Sequence, residues 1–392
     1  MNLLSSDPSE LSVFERISEQ LRREFDLWQG EAWSDEKFGA LALDIFAHQF
    51  RACSAYRGYC SARAVSPGSV TDWRRIPPVP TEAFRHVEFR TVSSDRELRF
   101  RTSGTTGGST ARGTHIVPEP ELYRASLRAA FRLLVLDDAE RGPDGLRSDS
   151  QTAGPRLLVS LVPPFDPDDG SSLAWMLDEL VGSIGRPGSR SVASARGIDW
   201  PALFGLCDAV AGRAEASDIA GVPVILLGTT LSFDAWLHRI GRTGQRWSLP
   251  AGSLLMDTGG VKGREGLERD TTLEELLPLL GLEPSRAVNE FGMTELLSQR
   301  YAWGPGPSSL VGPPWLRTLV LDPVSLEPES EGSEGILCHY DLANAGSVIG
   351  VLTEDRGVRD ARGIRLLGRT PGAPPRGCSL ATAELLRARE GG

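Results

Sequence analysis

Residues 222–244 read VPVILLGTTLSFDAWLHRIGRTG. The first half is a short apolar run with a β-branched start, the pattern of a strand buried on both faces. From Phe233 the apolar residues switch to helical spacing, and the run stops at Gly244, a residue that closes helices in the left-handed conformation. The same couple recurs on both sides. RLLVSLVPP (156–164) reads as a buried strand and SSLAWMLDELVGSIG (171–185) as a helix. GSLLMDTGG (252–260) is a strand that runs into glycines, TTLEELLPLLGL (271–282) a short helix, and SRAVNEFGMTE (285–295) a strand and turn. This alternation predicts an α/β architecture with mainly parallel pairing. Ligands of such sheets sit beyond the carboxyl ends of the strands.

The ends of the chain have another style. SVFERISEQLRREFDL puts Phe14, Ile17, Leu21 and Phe25 on one helical face, and ALALDIFAHQFRACSAYRGYC (40–60) reads as a second helix. RRIPPVPTEAFRHVEF is broken by prolines and suits an extended connector. After about Gly312, WLRTLVLDPVSLEPESEGSEGILCHYDLA reads as short antiparallel strands around a polar turn. The expected organisation is a helical part over 1–100, an α/β nucleotide- and acyl-binding core over 101–311, a small β subdomain over 312–368, and a hinge with a short tail over 369–392. The segment 138–155, DAERGPDGLRSDSQTAGP, is expected to be a surface loop.

Composition limits the partners. The 392 residues carry a net charge of −10, with 40% hydrophobic and 24% charged residues and no Lys/Arg block. That argues against nucleic acid or an anionic membrane as the main partner. Lysine occurs only at Lys37 and Lys262, so a mechanism that needs one has few candidates. The five cysteines, Cys53, Cys60, Cys207, Cys338 and Cys378, are odd in number and widely spaced. They fit a reducing cytosol better than a disulfide framework. The N-terminus has no signal-peptide pattern and no segment reaches a membrane span, so a cytoplasmic location is expected.

One stretch demands an explanation. RTSGTTGGSTARGT (101–114) packs glycine and hydroxyl residues between ELRF, a strand-like run, and HIVPEPELYRASLRAAFRLLVL, apolar at helical spacing. It is not a GxxxxGK[ST] loop, for no lysine follows Gly107 or Gly108, and it fails the GxGxxG spacing. Two readings stay open from the residues alone. One is a surface turn. The other is a backbone nest whose N–H groups and hydroxyls wrap a polyphosphate.

TSGTTGGST resembles the phosphate-binding loop of the adenylate-forming superfamily of acyl-CoA synthetases, luciferases and peptide-synthetase adenylation domains. NEFGMTELLSQRY (289–301) resembles its aromatic-Gly-x-Thr-Glu signature. LDPVSLEPESEGSEGIL, VLTEDRG and IRLLGR follow in that superfamily's order. The resemblance implies the large-domain α/β fold of those enzymes. It implies ATP and Mg²⁺ as cofactors, and nucleotide contacts from Ser103, Gly104, Thr105, Thr106 and Gly107. Phe291 with Gly292 would flank adenine, Thr294 would meet phosphate, and Glu295 would hold Mg²⁺, as suits a hard carboxylate oxygen. Asp355 would take the ribose hydroxyls and Arg369 a phosphate or ribose.

GMTELLSQ, MDTGGVKGRE, RGCSL and PPVPTEAFRH are most similar to the LuxE branch, the acyl-protein synthetases of bacterial bioluminescence operons. Most of the small C-terminal domain of CoA ligases, which supplies a late catalytic lysine, is expected to be absent. Lys262 is then the candidate lysine of the site, with a solvent-exposed loop residue as the alternative. In that branch a C-terminal cysteine accepts the acyl group, and Cys378 matches it. A thiolate attacks an acyl adenylate readily, and Arg376 would favour the thiolate. The resemblance implies a carboxylic, fatty acid as substrate and an acyl reductase of the LuxC kind as partner. Two alternatives are a ligase that passes its adenylate to CoA or a carrier protein, and a non-catalytic partner protein of the same fold. His115 and His339 are read as ordinary structural or surface groups, since adenylation needs no base.

Overall fold

The computed structural model describes residues 8–102, 112–137, 156–215, 217–259, 268–369 and 382. The chain forms two units. The first comprises Met1–Ala129, Met293–Gln299 and Ser309–Gly392; the second comprises Ala130–Gly292 and Arg300–Ser308.

In chain order the described elements open with helices α1 (Pro8–Asp26), α2 (Asp35–Ala52) and α3 (Ser54–Ala62). Strands β1 (Val79–Pro80), β2 (Leu98–Arg101) and β3 (Thr114–Val117) precede α4 (Pro120–Phe131), which runs into a π-helical turn at Arg132–Leu136. Next come β4 (Leu157–Ser160), α5 (Ser172–Ser183), β5 (Arg190–Ser191), β6 (Ala193–Ser194), β7 (Gly197–Ile198) and α6 (Trp200–Val210). The alternation continues with β8 (Val224–Thr229), α7 (Thr230–Thr243), β9 (Leu254–Thr258), α8 (Arg269–Leu279) and β10 (Ala287–Phe291). The remaining strands are β11 (Arg300–Trp303), β12 (Leu316–Leu321), β13 (Glu334–Asp341), β14 (Gly350–Arg359) and β15 (Ile364–Arg369).

The second unit is built on one sheet of order β11-β10-β9-β8-β4-β5. Every pairing from β10 to β5 is parallel, and β11 alone runs antiparallel at the edge. All four residues of β4 and the first five of β8 are buried. A strand covered on both faces needs this unbroken apolar run. Leu157, Val159, Leu226 and Leu255 pack with Phe233 and Trp236 of α7 and with Leu273 and Leu276 of α8. Helix α7 starts on a capping box between Thr229 and Ser232 and ends at Gly244, whose φ of +66° is left-handed.

The first unit carries the sheet β1-β14-β13-β12, with β15 paired to the far half of β14. Pairings among β12, β13, β14 and β15 are antiparallel, as the polar-turn pattern predicts. Phe14, Ile17, Leu21 and Phe25 of α1 are buried, and Phe25 stacks on Trp315 at 4.1 Å between ring centroids.

Two expectations need correction. The helix read over 40–60 is two helices, broken at Cys53, whose extended backbone caps one and starts the other. The break lets α3 present Tyr56 and Tyr59, which donate to the carbonyls of Pro77 and Pro78. The glycine-rich stretch does not join a strand to a helix. Its flanks, β2 and β3, pair antiparallel with Arg101 opposite Thr114, and α4 begins only at Pro120. The apolar run after the loop is itself strand first, because Ile116 and Val117 are buried in that pairing.

Candidate functional site

In the second unit the parallel strands end together. Thr229 of β8 lies beside Thr258 of β9, and Thr258 beside Glu290 of β10. Phe291, the last residue of β10, is partly buried, and Gly292 after it is exposed. Gly259 follows β9 under close constraint: a Cβ there would come within 3.3 Å of the Asn289 Oδ1. Glycine at 259 thus lets the end of β9 lie close against the Asn289 side chain.

Two carboxyl groups are buried beneath that edge. Asp257 receives bonds from the Arg269 guanidinium at 2.9 Å and from the Thr230 hydroxyl at 3.3 Å. Burial raises its pKa, and Arg269 works against the rise. Glu290 points to the opposite face of the sheet from its neighbour Asn289. Burial pushes its carboxyl up to about 7, eased by a bond from Thr258 and reinforced by the charge of Asp257. Its Oε1 has no hydrogen-bond partner among the described residues.

The first unit holds the second half of the same motif, the irregular segment 293–299. Leu296 N bonds back to the Met293 carbonyl, closing a turn around Thr294 and Glu295. Glu295 is buried at 6% exposure and Thr294 is partly exposed. The backbone here is held by side chains from other elements. His115 of β3 lies 2.7 Å from the Thr294 carbonyl, with Nδ1 as the donor because a carbonyl only accepts. Asn344 donates to the Glu295 carbonyl at 2.8 Å. Asp341 accepts from Leu297 N at 2.9 Å, Ser298 Oγ at 2.7 Å and Ala343 N at 3.0 Å. The network goes on from Ser298 to Ser126 at 2.9 Å, and Trp315 Nε1 donates to Ser126 at 2.9 Å. Burial pushes the His115 imidazole down to about 4, so it is neutral at pH 7. Burial raises the Asp341 carboxyl to about 6, with the bonds from Ser298 and Leu297 opposing.

Asp355 and Arg369 come together in the first unit. They face each other across β14 and β15, with Arg369 Nε 3.1 Å from Asp355 Oδ1. Asp355 is mostly buried, at 14% side-chain exposure, whereas Arg369 is half exposed at 46%. The neck of the glycine-rich stretch is closed by Thr102 N bonding the Gly113 carbonyl and Gly113 N bonding the Thr102 hydroxyl. Arg112 Nε donates to the Thr102 carbonyl at 2.7 Å. Ser103, Gly104, Thr105, Thr106 and Gly107 themselves lie outside the described residues, as do Lys262 and Cys378.

Cys53, Cys60, Cys207 and Cys338 are buried and unpaired by disulfide. Burial pushes the Cys60 and Cys207 thiols to about 12 and raises that of Cys53. Among the described residues no group of three or more His, Cys, Asp or Glu could hold a metal ion. One carboxylate such as Glu295 would fit Mg²⁺ bound to phosphates, since that ion takes one or two carboxylates and draws its other ligands from phosphate and water. No described helix is long and apolar enough to cross a membrane.

Of the supports, His115 is read from the sequence as an ordinary structural or surface group, and its burial fits the structural reading; Asn344 and Asp341 are not singled out in the sequence. A lone histidine in the apolar strand THIV and an Asp three residues ahead of Asn in YDLANAG were the available signals.

No protein-family model matches the chain. The chain is 28% identical over 374 residues to the long-chain-fatty-acid–luciferin-component ligase of Vibrio harveyi, covering 90% of this chain and 89% of that protein. It is 38% identical over 69 residues to the protein of the same name from Photorhabdus luminescens, 17% of this chain and 58% of that protein's length. Among solved structures it is similar to 2-hydroxyisobutyryl-CoA ligase in an open conformation with 2-HIB-AMP and CoA. The TM-score is 0.57 at 15% identity, over 86% of this chain and 76% of that one. The same ligase in the postadenylation state gives a TM-score of 0.56 at 15% identity, over 86% and 69%. The fold is that of the large domain of adenylate-forming ligases, as the motifs implied.

Proposed function

We propose that the chain is an ATP-dependent carboxylic acid ligase that activates its substrate as an acyl adenylate and collects the acyl group on its own Cys378. The observation that carries the reading is the position of NEFGMTE in an adenylate-forming fold: Phe291 ends a parallel strand, and Thr294 and Glu295 sit in the turn that follows. The Vibrio protein's name supports a long-chain fatty acid as the substrate class.

In the first step a carboxylate oxygen attacks the α-phosphorus of ATP, the bond to the β-phosphate oxygen breaks, and pyrophosphate leaves. The site has to hold two anions together, so proximity and charge neutralisation do most of the work. The glycine-rich loop from Ser103 to Gly107, Thr294, Arg369 and Lys262 would supply donors and positive charge. Phe291 and Gly292 would border the adenine and Asp355 the ribose. Mg²⁺ held by Glu295 would supply charge neutralisation on the phosphates. In the second step the Cys378 thiolate attacks the acyl carbon and AMP leaves, giving a thioester. An acyl reductase partner would then take the acyl group.

The test is intact mass after incubation with ATP, Mg²⁺ and a panel of acids, beside acid-dependent ATP–pyrophosphate exchange. Cys378→Ser should keep exchange and lose the acyl adduct; an adduct that survives refutes the acceptor. Glu295→Ala should abolish most exchange, and unchanged exchange refutes the metal role. CoA as acceptor is the second reading, favoured by its presence in the solved ligase; acyl-CoA formed without a protein adduct would select it.

A further inference from the structure

The segment that carries Thr294 and Glu295 has no ladder or helix of its own, yet side chains from outside hold the Thr294 and Glu295 carbonyls and the Leu297 N–H. Three side chains converge on it from β3, from the end of β13 and from the turn at Leu342–Gly346. His115 is 1% exposed, and Asn344 and Asp341 are fully buried. Between them they engage the carbonyls of Thr294 and Glu295, the N–H of Leu297 and the hydroxyl of Ser298. The supports are themselves supported. Gln49 Nε2 donates to the Asn344 carbonyl at 3.0 Å, and Thr91 N bonds the Gly346 carbonyl at 3.0 Å. A turn that only connected two strands could satisfy these groups with water. Burying an imidazole, an amide and a carboxyl to do so costs free energy. What the bonds from these side chains provide in return is a backbone held in place at the Thr294 and Glu295 carbonyls and the Leu297 N–H.

We infer that His115, Asn344 and Asp341 are positioning residues of the acid-activating step, fixing the backbone from which Thr294 and Glu295 reach phosphate and magnesium. This rests on the reading of Thr294 and Glu295 given above. The three residues act through the peptide units they hold. Displacements of about 1 Å at a reacting centre can cost on the order of 100-fold in rate.

The test compares wild type with His115→Ala, His115→Asn, Asn344→Ala and Ser298→Ala. Acid-dependent ATP–pyrophosphate exchange is followed across a Mg²⁺ series, with the thermal midpoint and a calorimetric Mg²⁺·ATP titration on the same samples. The amide nitrogen of Asn stands as many bonds from the backbone as imidazole Nδ1, so His115→Asn can keep the bond to the Thr294 carbonyl. His115→Ala and Asn344→Ala should lower turnover about 10- to 100-fold and raise the half-saturating Mg²⁺ several-fold, while His115→Asn recovers to within about threefold of wild type. Ser298→Ala, which leaves the Leu297 bond intact, gives a smaller loss in the same direction and serves if an alanine variant fails to fold. The inference is overturned if folded variants keep wild-type turnover and Mg²⁺ dependence. It is also overturned if His115→Asn restores the thermal midpoint without restoring exchange. A wild type with neither exchange nor Mg²⁺·ATP binding removes the functional reading and the inference with it; a competent wild type with indifferent variants removes the inference alone.

Discussion

In the second unit the sheet packs through apolar side chains: Leu157, Val159 and Leu226 meet Phe233, Trp236 and Leu273. In the first unit a chain of buried polar groups runs from Trp315 through Ser126 and Ser298 to Asp341. Apolar burial stabilises in proportion to area and tolerates repacking. A polar network tolerates neither a missing member nor a displaced one. The two halves of the NEFGMTE motif are therefore supported differently. Phe291 is placed by the ladder that pairs Asn289 with Asp257 and Glu290 with Thr258. Thr294 and Glu295 are placed by hydrogen bonds from side chains distant in sequence.

The comparison is tested hardest by Asp341→Ala. It would leave three donors, Leu297 N, Ala343 N and Ser298 Oγ, without their acceptor. A loss of roughly 3–5 kcal/mol is expected from unsatisfied buried groups, read by urea unfolding. A loss under about 1 kcal/mol, the net value of one ordinary hydrogen bond, would show that the network contributes little.

Glu290 is one of two carboxyl groups buried in the second unit among its described residues, and pH separates it. The folded chain keeps its proton to about pH 7, against an ordinary value of 4.5. Its contribution to stability is therefore fully present below the unfolded value and falls as pH rises through that window. Glu290→Gln removes this slope. Relative to wild type, the variant should gain about 2 kcal/mol between about pH 5.5 and about pH 8. Asp341 and His115 titrate in both proteins and cancel in the difference. A constant difference across that range would mean that Glu290 is ionised throughout.

The smallest effect belongs to backbone alone. Gly244→Ala places a Cβ at a φ of +66°, where space is open but the left-handed conformation is strained. A destabilisation of about 1 kcal/mol is expected by thermal unfolding. No loss would mean that α7 ends acceptably without its left-handed cap.

What was legible in the sequence follows the same division. VPVILLGTT, RLLVSLVPP and GSLLMDTGG announced buried strands because a strand covered on both faces has to be apolar throughout, and the parallel sheet holds all three. Asp355 and Arg369, singled out by motif order, face each other across neighbouring strands. The 40–60 helix was misread because apolar spacing continues through Cys53 while the backbone does not. The stretch after the glycine-rich loop was misread because four strand residues beside a helix add too little period-2 signal to separate the two.

By itself the sequence determined the alternating architecture and the left-handed end of α7 at Gly244, because periodicity and glycines act over a few residues. Only the tertiary structure decided that His115, Asn344 and Asp341 converge on the turn bearing Thr294 and Glu295. Those partners are separated from it by 179, 49 and 44 residues along the chain. No local preference encodes a hydrogen bond of that span; it exists because the polar backbone of a buried turn must find its donors and acceptors wherever the fold brings them.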